Sequence, residues 1–473
     1  MPPPTKPAPL RPSRHGTGVA LVLLAGAVRA VAAAGAALVP NDSIALLTTA
    51  RAVSGGDLSA AFTGLLHPLP PLVIGLLGGS EAAGLSLSIA AGALGTLAVF
   101  GIGLRLGSRS TGAVAAVLYA VAPALARLAG APLSEGLSVP LSLFAVERAL
   151  RALEAPRAAL PAGLLAGLAY LCRPEAILLP AVLFPALALA RLSRPALLLL
   201  FGFLVLAGPY AGWLSATSGT LTVTRKKPIG RFLRAEEDFD RKMAVKEARL
   251  GVRRPGAGAA AAETLRTYGD AAAFVLPPLA LVGLWFHLRR GRREIALVLA
   301  ALVLLTVVVN FRLLWLHGYL ERRHMAVPAA LTIPLAAAGL AVLARRRAPV
   351  AAAVLAALLL VPAVRPRDRD KLPLKDAGRH ILAEGGPGAV VATHLAPRIA
   401  FYAGGRDYPL HREWRGPASA SDTRGSADWL ALCPRRLAPD RLAGYLSILP
   451  APARDPDRIV GEGEWTVHLW RLR

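Results

Sequence analysis

The 473-residue chain is 55% hydrophobic, only 18% charged and has a mean hydropathy of +0.50. Soluble domains carry about a quarter charged residues, so a soluble globular enzyme is excluded and a membrane protein is indicated. The net charge of +25 would suggest nucleic acid, but much of the arginine sits in short clusters between apolar segments, which is the positive-inside pattern.

The first 16 residues are Pro-rich with Lys6, Arg11 and Arg14, and read as a disordered cytoplasmic tail. Thr17 to Val39 is apolar except for Arg29, which is expected to snorkel or to face the bundle interior. A cleaved signal peptide is the competing reading; the long tail and the polytopic character of the rest of the chain argue against it.

A loop over 40–81 leaves this span. Within it, Pro68 to Gly79 is apolar, but about 12 residues at ~1.5 Å each fall well short of the ~30 Å hydrocarbon core. It is expected to be interfacial or re-entrant. Spans are expected at Ala82–Leu104, Gly112–Leu128, Glu135–Leu150, Ala158–Leu171, Ala176–Ala190, Ala196–Ala216, Ala271–Leu288, Ile295–Leu314, Met325–Ala344 and Pro349–Val364. With the first segment that makes about eleven.

The arginines test this arrangement. With a cytoplasmic N-terminus, the inside connections hold Arg105 and Arg109; Arg148, Arg151 and Arg157; Arg191 and Arg194; Arg289, Arg290, Arg292 and Arg293; and Arg345, Arg346 and Arg347. Every inside connection then carries a cluster, as the orientation rule requires. Counting Pro68–Gly79 as a span would push them all outside. The 40–81 rim loop, the turns at 129–134, 172–175 and 316–324, and an insertion over 217–270 face outward, and one site on that face is expected.

From residue 365 to 473 the composition becomes that of a soluble domain. Lys375–Glu384 and Asp440–Leu446 read as helices, Ile399–Tyr402 as a short apolar element, and Ala389–Thr393, Trp429–Cys433 and Thr466–Trp470 as strands. About 105 residues suffice for a small α/β domain. Its expected role is to cap the site or receive the acceptor. The fold class is therefore an α-helical polytopic membrane domain over 17–364 with a C-terminal extracytoplasmic α/β domain. Cys172 and Cys433 lie in segments of different character without metal-ligand spacing, and read as packing residues.

Several segments look familiar together: NDSIALLTTARAVSGGD, HPLPPLVIGLL, SEAAGLSLSIAAGALGTLAVFGIGLRLG, LSEGLSVPL, LAYLCRPEAILL, ERRHMAVPAALTIPLAAAGL and PRIAFYAGGRDYPL. In this order and spacing the chain resembles the multispanning GT-C glycosyltransferases that use polyprenyl-phosphate sugars. Those are related to protein O-mannosyltransferases and to the lipid A aminoarabinose transferase. Two departures stand out: Asn41-Asp42-Ser43 lacks the Asp-Glu pair of some relatives, and the Pro-Pro motif is interrupted as Pro68-Leu69-Pro70-Pro71.

The resemblance implies an inverting transfer from a lipid-linked phosphate, which needs a base near the acceptor and positive charge near the departing phosphate. It places the base at Asp42; the alternative is a helix-capping Asp after Pro40. Glu135 is a candidate for binding acceptor or sugar or for helping to hold a cation, or equally an acid favoured at a helix start. His67 is a candidate for orienting a carboxylate, binding a metal or touching substrate, or a structural rim residue, and one His beside Pro is no metal signature. Asp57 reads as an ordinary Gly-Gly-Asp turn.

In the Arg173-Pro174-Glu175 turn, Arg173 suits phosphate recognition and Glu175 a structural pair. Arg225, Lys226 and Lys227, or Arg322, Arg323 and His324, are placed to neutralise phosphate, against the generic attraction of basic residues to headgroups. The family motif favours function for Arg322 and Arg323. Trp315 and Tyr319 read as interfacial anchors.

The expected partners are a polyprenyl-phosphate-linked sugar and a lipid, glycan or protein acceptor, with no nucleic acid. No cofactor is required, and a divalent metal is compatible with these residues. The resemblance to bacterial members implies an inner-membrane location with the site facing the periplasm or exterior. A polytopic transporter or lipid flippase is the rival class, but such proteins tend to place polar residues near the bilayer midplane in repeated halves. A non-catalytic assembly subunit is a third reading.

Overall fold

In hydrocarbon each backbone N–H and C=O must be satisfied within its own segment, so apolar runs of this length become helices. The computed structural model describes residues 16–63, 66–224, 255–290, 292–318, 320–394, 397–409, 427–437, 439–447, 449 and 455–472. Most of the N-terminal tail, Arg225, Lys226, Lys227 and Tyr319 lie outside the described residues.

Each expected span overlaps a helix, although Gly112–Leu128 is broken at Ala122 and the helix expected from Ala271 begins at Leu276. In chain order these are α1 (Gly16–Ala34), the rim helices α2 (Asn41–Ser54) and α3 (Leu69–Leu76), α4 (Glu81–Leu106), α5 (Arg109–Val121), α6 (Ser134–Ala152), α7 (Ala159–Cys172), α8 (Leu178–Leu189) and α9 (Ser193–Ser218). There follow α10 (Ala257–Ala271), α11 (Leu276–Arg290), α12 (Arg293–His317), α13 (Ala326–Ala344) and α14 (Ala348–Val364). Among the described residues, five stretches are long and apolar enough to cross a membrane, or up to seven if each bent pair is one span. The expectation of about eleven therefore includes short and broken helices. α5 bends by 51° into Pro123–Gly130, and α10 meets α11 at 90°. Pro123 explains the first bend, since it cannot donate into the preceding turn. The last long stretch, Arg322–Val364, runs over 43 residues. It is a hairpin, because Pro362 near its end and Asp270, the partner of Arg322 at its start, are both neighbours of Arg127.

The ends of the helices sort into two sets. Arg109 donates to Thr17 at 2.9 Å, Arg105 pairs with Glu147 at 2.8 Å and Arg292 with Glu154 at 2.8 Å. All six lie in the connections, or at the adjoining span ends, expected on one face. Asp42, His67, Glu135, Arg173 and Arg323 converge at the other. Outward-facing apolar side chains such as Leu189, Leu197, Phe201, Leu304, Leu358 and Val361 leave the bundle's flanks apolar, which suits lipid rather than water. The protein is an integral membrane protein.

Helices approach most closely where glycines face each other. A Cβ on Gly163 would lie 2.0 Å from the Leu199 carbonyl of α9, and one on Gly339 would lie 1.9 Å from the Leu279 carbonyl of α11. Small residues at such crossings let backbones touch, which is how helices gain packing energy without a hydrophobic drive. Arg29 takes the second of its expected options. It is buried inside the bundle, with its guanidinium 4.8 Å from the Tyr119 ring centroid.

The C-terminal domain is a five-stranded mixed sheet. Its strands are β1 (Val390–Thr393), β2 (Arg406–Pro409), β3 (Trp429–Leu432), β4 (Arg458–Val460) and β5 (Val467–Arg471), in the order β2-β1-β3-β5-β4. β1 is parallel to β2 and β3; β5 is antiparallel to β3 and β4. The two strands not expected from sequence, β2 and β4, are the two edges, where no buried apolar run is needed. Both cysteines are free and buried, as packing residues.

The domain is tied to the rim. The short helix Arg398–Tyr402 places Phe401 in a cluster with Val39, Ile44, Leu47 and Ile74. Tyr402 accepts a hydrogen bond at 3.1 Å from the Val39 backbone N–H, and Arg51 stacks 4.5 Å from the Phe401 ring centroid. The same helix α2 that carries Asp42 is thereby held between membrane bundle and soluble domain.

Candidate active site

Four breaks between helices build the site. Pro40 is extended before α2, so Asp42 falls in that helix's first turn, where a carboxylate is favoured by the unsatisfied N–H groups. Glu135 opens α6 in the same way. Arg173 is extended between α7 and the 3-10 turn Pro174–Ile177, because the residue before proline is driven out of the helical region. Arg323 lies in a second 3-10 turn, Arg322–Met325, closed by a reciprocal cap between Glu321 and His324.

These breaks enclose a cavity of about 580 Å³ lined by Asp42, His67, Glu135, Arg173, Glu175, Arg323 and His324, with apolar residues between them. Asp42, His67, Glu135, Arg173, Arg323 and His324, all candidates in the sequence, thus meet in one place. Arg322 does not line it. That side chain pairs instead with Asp270, because successive residues of a tight turn project in different directions. Arg225 and Lys226 lie outside the described residues.

The charged groups form one continuous network. Arg173 pairs with Glu135 and, through Nε and Nη2, with both oxygens of Glu175 at 3.1 and 3.0 Å. Arg323 pairs with Asp42, with Glu321 at 2.6 Å and with Glu135 at 3.6 Å. Glu135, only 3% exposed, is therefore shared by both arginines. A buried carboxylate is tolerated only with such partners. Burial alone would raise the Glu175 carboxyl, but the adjoining Arg173 guanidinium more than offsets this and holds it down to about 2. Burial, helped by the Arg173 charge, pushes the His324 imidazole down to about 4. His324 is accordingly neutral at ordinary pH, and its Nδ1 accepts the Glu321 N–H at 3.0 Å.

His67 closes one side. Its Nδ1 lies 2.7 Å from the Tyr170 carbonyl, and a carbonyl only accepts, so Nδ1 carries the proton in the neutral ring. The imidazole meets Tyr170 and Tyr210 edge-on, with ring centroids 5.3 and 5.2 Å away. Beyond it, Phe62, Pro68, Leu69, Leu72, Leu206, Pro209, Tyr210 and Trp213 line an open apolar cavity of about 1040 Å³. His67 lines the charged cavity and its chain neighbour Pro68 the apolar one, so the two adjoin there.

Asp57 holds a local turn, accepting from Ser59 Oγ at 2.6 Å and the Ala60 N–H at 3.2 Å. Sequence reasoning gave Glu175 a structural role, left His324 within a generic basic cluster and missed Glu321, Tyr170 and Tyr210. The E-R-R-H order alone does not tell which arginine a 3-10 turn directs inward. Among the described residues, no group of three or more His, Cys, Asp or Glu side chains is arranged to hold a metal ion.

Residues 69–213 match the family model described as dolichyl-phosphate-mannose-protein mannosyltransferase. A search of curated protein sequences finds no match. Among solved structures, ArnT from Cupriavidus metallidurans bound to undecaprenyl phosphate is similar with a TM-score of 0.67 at 16% identity, covering 97% of this chain and 98% of that one. The Archaeoglobus fulgidus oligosaccharyltransferase complexed with Zn and sulfate gives a TM-score of 0.56 at 12% identity, covering 95% and 73%. The same archaeal enzyme, AglB, with an inhibitory peptide and a dolichol-phosphate gives 0.54 at 12% identity, covering 91% and 70%. The chain has the GT-C fold of membrane glycosyltransferases that work with polyprenyl-phosphate carriers.

Proposed function

We propose that the protein is an inverting glycosyltransferase that moves one sugar from a polyprenyl-phosphate carrier to an acceptor on the extracytoplasmic face. The observation that carries this reading is the adjacency of the two cavities. A charged chamber lies beside an apolar one, the two linings meeting along His67–Pro70 and at Leu171–Cys172. Such a pair fits an amphiphile with a phosphate at the end of a hydrocarbon chain, and solved relatives hold undecaprenyl phosphate or dolichol-phosphate. No nucleotide-sugar site is needed, because the donor arrives activated within the membrane.

Asp42 is the general base. Its side chain is 57% exposed, so an acceptor hydroxyl or amine reaches it from the aqueous side. The carboxylate takes the acceptor's proton as oxygen or nitrogen attacks the anomeric carbon. The bond from that carbon to the phosphate oxygen breaks, and the phosphate leaves with the electron pair from the opposite face, inverting the centre. Arg323 and Arg173 stabilise the charge gathered on that phosphate, since guanidinium forks match it better than a point charge. Glu135 holds the two forks at a fixed spacing. Arg225 and Lys226 are retained as further candidates for the phosphate, and the acceptor is a lipid, glycan or protein. The positive-inside arrangement supports a chamber on the extracytoplasmic face, and the proposed setting is the periplasmic or outer side of a bacterial inner membrane.

The test is transfer from a panel of polyprenyl-phosphate sugars by purified wild type and Asp42→Asn, with the product anomer read by NMR. Inverted product from wild type and turnover lower by roughly 10²–10⁴-fold from the folded variant are expected. Equal turnover by both removes Asp42 as the base.

A further inference from the structure

The Arg322–Met325 turn sends its two arginines to different neighbourhoods. Arg323 enters the catalytic cavity, whereas Arg322 pairs with Asp270 at the end of α10. α10 packs both on that turn and on the short helix Pro123–Arg127. The Arg127 charge is attracted by Asp270 and repelled by Arg322 and Arg365. A third segment joins from beyond the last span. Arg127 donates through Nη2 to the Pro362 carbonyl, and Arg367 donates through Nη2 to the Arg127 carbonyl at 3.2 Å.

Four guanidiniums from three distant parts of the sequence therefore lie near enough to feel one another's charge, with Asp270 and Asp368 as the neighbouring carboxylates. Two of the four, Arg127 and Arg367, are half-buried. Among the described residues neither lies within ion-pairing distance of a carboxylate; their Nη2 donors go to backbone carbonyls instead. The Nε of Arg127 is buried without a hydrogen-bond partner. Gathering like charges and partly desolvating them costs free energy that backbone carbonyls only partly recover. A multivalent anion would recover it, through forked bonds that arginine makes to phosphate oxygens.

We propose that Arg127, Arg322, Arg365 and Arg367 form a second anion site, apart from the catalytic cavity, that takes a phosphate-bearing headgroup. It does not rest on the catalytic reading, since none of the four lines the chamber around Asp42. The same chemistry is offered by an anionic phospholipid of the bilayer and by a phosphate presented from the aqueous phase.

The full chain in phosphatidylcholine vesicles, with and without phosphatidylglycerol, distinguishes the two. Lipid retained after detergent extraction is measured by mass spectrometry, and inorganic phosphate binding to the detergent-purified chain by calorimetry. The variants are Arg365→Gln, whose side chain is exposed, and the Arg127→Gln/Arg367→Gln pair. Retained phosphatidylglycerol should exceed phosphatidylcholine on wild type and fall about fivefold per arginine removed. If inorganic phosphate binds and weakens in the same order while phosphatidylglycerol is not enriched, the site stands with an aqueous source. Neither ligand on wild type, or retention unchanged in Arg365→Gln, overturns it. Should the double variant fail to fold, a salt titration of wild type still decides. Retention of the bound anion must fall as ionic strength rises, and a flat response sinks the site.

Discussion

Arg323 and Asp42, 281 positions apart in sequence, form an ion pair at the mouth of the charged chamber. The pair joins the first break after α1 to the turn before α13, so the base and a phosphate-binding fork are positioned by each other. Replacing Asp42 with Asn keeps the shape and removes the proton acceptor. Turnover should fall by roughly 10²–10⁴-fold, with an unchanged melting temperature, because the Asp42 side chain is 57% exposed and exposed pairs contribute about 0–1 kcal/mol.

Glu135 should behave in the opposite way. It is buried and bridges Arg173 and Arg323, so Glu135→Ala leaves two guanidiniums facing each other. Removing one partner of a buried pair costs about 3–5 kcal/mol. Thermal unfolding in detergent should show that loss. Glu135→Asp should recover part of the stability.

Two depressed pKa values set an acid limit. His324 is shifted down to about 4 from an ordinary 6.5, so the fold favours its neutral form. That contribution is complete above pH 6.5 and is lost as pH falls towards 4. Glu175, lowered from 4.5 to about 2, favours the ionised form; its share is present above pH 4.5 and lost on further acidification. Both act in one direction. The melting temperature should decline from pH 6.5 downwards, and His324→Gln should flatten the upper part of that decline. An unaltered profile in this variant would argue that His324 is not the titrating group.

The glycine crossings predict a steric effect with no chemistry in it. A side chain at Gly163 meets the Leu199 carbonyl, and one at Gly339 meets the Leu279 carbonyl. Gly339→Val should cost about 1–3 kcal/mol, the typical penalty of overpacking. A Cβ added at Gly212 would meet nothing within 4 Å, so Gly212→Ala should leave the unfolding temperature within error of wild type.

The rim and the soluble domain are coupled through Tyr402. Tyr402→Phe deletes the bond to the Val39 N–H, worth about 0.5–1.5 kcal/mol. Because Tyr402 does not itself line the chamber, sugar transfer should retain the wild-type pH profile while the soluble domain becomes easier to clip. Limited proteolysis followed by mass spectrometry reads this directly.

The order of apolar runs and the placement of arginines by themselves determined where the helices lie and which of their ends share a face. Both follow from the hydrocarbon's demand that each span satisfy its own backbone and from the cost of moving arginine across it. Central strands β1, β3 and β5 were legible for a similar reason, since buried strands need apolar residues. The edge strands β2 and β4 need none and left no such mark. Only the tertiary structure decided that Arg323 enters the chamber while Arg322 leaves it, that Glu135 serves two arginines, and that a charged and an apolar cavity adjoin at His67 and Pro68. Those relationships depend on how separate helices are rotated against one another. That rotation is set by packing at small residues such as Gly163 and Gly339, and no single segment contains it.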